Sequence, residues 1–224
     1  MRVTKKQEEL VTAYHEAGHA VASRLVQPAL RVRRVTIIPS KKDGSLGHCM
    51  NHKIRKGFHP DIEVTSATRD RLESHIICFL AGSIAEQKFT GKKPKLGGKK
   101  DWVNAISLAD YVVGTDKELE AYMGWLSART EAMFDNPFNW KVVEGVAQAL
   151  MTERKLSGAR FKQVIKESFE AALPESKSNR WAASSKSPRK AFSLSSSTSM
   201  GWSLKKARSL RTRRKIGSSL RPRP

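Results

Sequence analysis

The sequence has two cysteines, Cys49 and Cys78, and no CxxC spacing. That excludes a disulfide framework and points to reduced thiols. No apolar run approaches the roughly 18 residues that span a bilayer. The opening Met1–Leu10 stretch lacks the apolar core of a signal peptide. Together these absences lead us to expect a soluble, cytoplasmic protein. Apolar residues make up 39 % of the 224, low for a wholly globular chain, and the shortage is concentrated near the C-terminus. Acidic residues are scarce there too. From Pro174 to Pro224 there are 14 Lys and Arg against one acidic residue, Glu175, whereas the whole chain holds 42 and 21. A Ser-rich, basic, weakly apolar stretch cannot bury enough surface to offset its ordering entropy. We therefore expect a folded domain over 1–173 and a disordered basic tail over 174–224. The runs 205–208 and 211–215 would let that tail bind polyanions, nucleic acid or an acidic partner.

What is present is mainly helical patterning. Leu10, Val11, Tyr14, Ala17, Gly18, Val21, Ala22 and Leu25 recur at three- and four-residue intervals, which predicts a helix over 4–26 with Thr4 as cap. Val32, Val35, Ile37 and Ile38 suggest a strand. A turn follows at 41–44, and 46–51 could be the returning strand of a hairpin. Further helices are predicted at about 66–88, 101–113, 116–133, 138–154 and 158–172, with 90–100 as a loop and Ser157-Gly158 as a break. Trp102, Trp125 and Trp140 fall in helical segments, where we expect them in the core.

Residues 15–19 read His-Glu-Ala-Gly-His. On a helix, positions four apart lie one above the other, so His15 and His19 can offer two imidazole nitrogens to one zinc ion. Glu16 is turned about 100° from His15. There it can flank a metal-bound water and accept its proton without ligating the metal. Ala17 and Gly18 would let another helix come close behind the site. Catalytic zinc usually takes a third protein ligand. The candidates are Glu86, Asp101, Asp110 and the His48, Cys49, His52 group, and composition does not choose among them. A strand alternates faces, so His48 and Cys49 should point apart, which argues against a second metal site.

The segment 12–21, Thr-Ala-Tyr-His-Glu-Ala-Gly-His-Ala-Val, resembles the start of the peptidase domain of the FtsH-type AAA proteases. The similarity continues through 35–39, Leu46-Gly47, 80–86, 97–109 and 146–158, in the same order. It implies a mainly α, zincin-like helical peptidase domain with a small β-hairpin near the N-terminus. It also implies zinc as cofactor and polypeptide as substrate. An Asp at the start of the helix after a Gly-rich loop would be the third ligand, here Asp101; its alternative role is an N-cap. Glu86 matches an acidic position expected to bond a ligand histidine. The ATPase module and membrane helices that precede this domain in the family are not in this sequence. An AAA ATPase acting in trans and a homo-oligomer are the partners the resemblance brings in. The rival expectation is a non-catalytic adaptor of the same fold, docking through its basic tail.

Overall fold

The computed structural model describes residues 4–26, 31–40, 46–51, 65–92 and 98–172. The chain divides into two units, Met1–Ala182 and Ala183–Pro224, and all described residues lie in the first. The tail, with Trp181 and Trp202, lies outside the described residues, as do His52, His59 and the turn at 41–44.

Among the described residues, six helices and three short strands make a mainly helical domain. In chain order they are α1 (Lys5–Val26), β1 (Val32–Thr36), β2 (His48–Asn51), α2 (Ser66–Thr90), α3 (Lys99–Ala109), α4 (Asp116–Asp135), α5 (Pro137–Glu153), β3 (Lys155–Ser157) and α6 (Gly158–Ala172). Helix α1 starts at a reciprocal cap: the Thr4 hydroxyl accepts from the Gln7 amide and the Gln7 side chain accepts from the Thr4 amide. Helix α2 is capped by the Thr65 hydroxyl and ends on Gly91 in the left-handed conformation. Asn136 caps α5, with Pro137 at its first position.

Two apolar clusters hold these elements together. Ala13, Ala17, Val21, Val35, Ile37, Val143, Leu150, Leu156 and Phe161 join α1, the sheet, α5 and α6. Leu72, Ile76, Leu80, Ala105, Ala109, Met123 and Leu126 join α2, α3 and α4. Helix α2 borders both, because Ala81 and Ala85 face the first cluster and Leu80 the second. The active-site candidates therefore sit where the two cores meet, on α1, α2 and the start of α3.

The structure departs from the sequence expectations in two places. The expected hairpin is present as β1 and β2, and a third strand joins it, so that among the described residues the sheet runs β2-β1-β3, all antiparallel. Lys155–Ser157, which falls between the two expected helices beside the Ser157-Gly158 break, is pinned to β1 by Leu156 opposite Val35. Arg154, left-handed at φ 59°, turns the chain there, and its carbonyl accepts from the Ile37 amide. Second, Trp102 and Trp125 are 46 % and 47 % exposed, not core. Ala105 and Ala109 take the inward face of α3 and Leu126 that of α4. Trp125 instead packs beside Tyr122 and under the Arg129 guanidinium. Trp140 alone of the three is half-buried, against Tyr14 and Phe134.

Candidate metal centre

Helix α1 presents His15 and His19 on one face, as four-residue spacing dictates. Each ring is fixed through Nδ1. His19 Nδ1 donates to the carbonyl of Cys78 at 2.7 Å, and His15 Nδ1 donates to Glu86 Oε2 at 3.1 Å. Both acceptors belong to α2, so α2 sets the tautomer of both rings. The two Nε2 atoms are thereby left facing each other, 3.1 Å apart. Asp101, in the first turn of α3, brings Oδ2 to 3.6 Å from His15 Nε2 and 3.4 Å from His19 Nε2. The three offered atoms lie within 4.8 Å of one another, and no other such group of three occurs among the described residues.

Three acceptors converging on one point demand a positive charge between them. A small cation supplies it, and the set of two imidazoles and one carboxylate suits zinc, which takes three protein ligands and an open position. In the cation-free state a proton must serve. Burial opposes protonation of His15, but the hydrogen bonds to Asp101 and Glu86 outweigh it and push its pKa up to about 9. For Asp101, burial works to raise the pKa, and the two imidazoles override it and hold the carboxyl well below its ordinary value.

Close packing makes room for the rings. A Cβ on Gly82 would stand 2.6 Å from His19 Cε1 and 2.8 Å from His15 Nε2. Only glycine lets α2 pass behind both imidazoles. Gly98 caps α3 at φ 85° with no side-chain hydrogen bond. Since Gly98 holds that position, Asp101 is not the N-cap, and its carboxylate is free to point at the histidines while the helix dipole favours its charge.

Glu16 is buried, and its Oε2 has no hydrogen-bond partner among the described residues. Burial raises its pKa above the ordinary carboxylate value, although His19 and His15 pull the other way. Gly47, just before β2, touches this carboxylate: a Cβ there would sit 2.7 Å from Glu16 Oε1. The site is thus closed on one side by the start of the edge strand. Asp110, at the end of α3, and the His48, Cys49 pair stand outside the cluster. Strand β2 leaves His48 exposed and packs Cys49 against the core.

Sequence reasoning missed the backbone contributions: the Cys78 carbonyl, Gly47 and Gly82. A Gly within an otherwise helical pattern was the available signal for Gly82, since such a residue needs a packing reason.

The sequence pattern that defines Peptidase family M41 matches residues 2–180. An ATP-dependent zinc metalloprotease FtsH of Lachnoclostridium phytofermentans is 30 % identical over 164 residues, covering 67 % of this chain and 26 % of the relative. The protein of the same name from Ruminiclostridium cellulolyticum is 27 % identical over 215 residues, covering 79 % and 32 %. That of Rickettsia typhi is 28 % identical over 170 residues, covering 75 % and 24 %. The matched span is about a third or less of these relatives' length.

Proposed function

Since the chain belongs to peptidase family M41, we propose that it is a zinc-dependent endopeptidase acting on unfolded or partner-delivered polypeptides. His15, His19 and Asp101 would hold the zinc, and Glu16 would be the general base. The observation that carries this reading is the convergence of His15 Nε2, His19 Nε2 and Asp101 Oδ2 on one point. Bound zinc would polarise the scissile carbonyl and lower the pKa of the attacking water.

The chain's own residues do the rest. Glu86 and the Cys78 carbonyl keep both imidazoles turned to the metal, the supporting hydrogen bonds that such ligands normally have. Glu16 takes the proton of the attacking water and passes it to the leaving amine nitrogen. Its burial raises its basicity toward what that task needs. The edge of β2, unpaired among the described residues and starting beside Glu16, would pair with an extended substrate by strand addition.

The relatives are ATP-dependent by name. We extend the proposal to an AAA ATPase that delivers unfolded chain to this domain. Casein is already loose and should be cleaved without one. The test is casein cleavage by the zinc-loaded full chain beside Glu16→Gln. The amide keeps the shape but takes no proton, so activity should fall about 10²–10⁴-fold with zinc retained. Equal activity in the two proteins would remove Glu16 from the mechanism.

A further inference from the structure

Strand β1 buries both Val32 and Val35, with two arginines between them. A regular strand alternates faces, so residues three apart cannot both turn inward. The bulge in β1 resolves this. Val32 pairs with Asn51 and Arg34 with Met50, which leaves Arg33 as the extra residue. Arg33 is exposed and Arg34 is half-buried on the outward face. Bulges re-aim side chains in this way.

Arg34 is aimed across the edge strand: its Nη2 lies 3.1 Å from Met50 Sδ on β2. A thioether is a weak acceptor for a guanidinium. Arg34 Nε is buried and has no partner among the described residues. Among the described residues Arg34 forms no ion pair, unlike Arg154 and Arg160. None of the described strand neighbours on that face is a carboxylate. Met50 and Ser157 flank Arg34, and His48 and Lys155 flank the next residue on that face, Thr36. A charged fork reaching over an edge strand with donors to spare is ready for an acceptor on the strand added next.

We propose that Arg34 is a specificity-determining residue: it recognises an Asp or Glu side chain on an extended polypeptide paired with β2. This rests on the reading of the β2 edge as the substrate-binding strand. A chain paired there turns alternate side chains to the face that carries Met50, where the guanidinium ends.

The experiment measures binding, so that it stands apart from hydrolysis. Fluorescein-labelled neutral peptides carrying Glu, Gln or Lys at each position in turn are titrated, by anisotropy, into the full zinc-loaded chain with Glu16→Gln. At one position Glu should bind up to about fivefold more tightly than Gln, and Lys more weakly. The preference should vanish near 1 M salt, where the Debye length is about 3 Å. Arg34→Gln should abolish the preference. Arg34→Lys, which keeps the charge, should retain part of it. Arg33→Gln removes the same charge from the exposed bulge position and should keep it whole. Absence of any preference, its survival in Arg34→Gln, or equal loss in Arg33→Gln would overturn the proposal. Failure of the unsubstituted chain to cleave casein would count against the peptidase reading alone.

Discussion

His15 and His19 each commit Nδ1 to α2 and keep Nε2 for the centre of the site. The consequence is a linkage between protons, metal and stability. The His15 pKa rises from an ordinary 6.5 to about 9 in the metal-free fold. A raised pKa contributes stability that is fully present below pH 6.5 and is lost as pH climbs through about 9. In chelator, the melting temperature should therefore fall across that window. With zinc bound the ligands are already deprotonated, so that fall should be absent. Parallel melting curves with and without chelator would contradict the linkage. Asp101 permits a sharper residue-level test. Asp101→Asn should weaken zinc binding strongly, because a neutral amide is a poor donor to the ion, whereas Glu86→Gln should weaken it less, by about 10–100-fold. Chelator competition on the two variants decides, and a larger loss in Glu86→Gln would move the third ligand to α2. The two histidines and Glu16 were legible because four-residue spacing on an apolar helix is a local pattern. Asp101 was one of several candidates until a family resemblance selected it, since nothing local ties it to α1. Arg34 was not legible at all, because its direction depends on a bulge.

At the level of elements, the approach of α1 to α2 decides whether the site exists. Gly18 is the contact point: a Cβ there would meet the Ala81 carbonyl oxygen at 2.5 Å and Ala85 Cβ at 2.7 Å. Gly→Ala inside a helix ordinarily gains up to about 1 kcal/mol. Here the sign should reverse. Gly18→Ala should cost roughly 1–3 kcal/mol through overpacking. It should also weaken zinc binding, since α2 carries both supports of the histidine rings. Urea denaturation with and without zinc reads both effects, and a stabilised variant would mean that the helices are free to part. Helices were readable from sequence because each repeats its pattern over many turns. Helix α2 ends at Thr90 and α3 begins at Lys99, within two residues of the boundaries expected from sequence. Strand β3 was not readable, because three residues with one inward side chain, Leu156, carry no periodicity. It exists through pairing with β1, a contact about 120 residues distant in the chain. The same limit applies to Trp102 and Trp125. A helical pattern shows that a residue lies on a helix, and the neighbouring helices decide which side is covered.

On the scale of the whole molecule, the family match covers residues 2–180, and the last residues of the chain differ from that body in charge and composition. No helix among the described residues is long and apolar enough to cross a membrane. The domain is assembled from two apolar clusters that meet at α2, and the three convergent atoms come from two helices, α1 and α3. A metal held there would therefore tie α1 to α3 and report on the whole fold. The most direct measurement is the zinc content of the full chain, purified without chelator and supplied with zinc, beside His19→Ala. The expected result is close to one zinc ion per chain, falling to almost none in the variant. A full-length chain without zinc, or a His19→Ala chain that keeps it, would contradict the account.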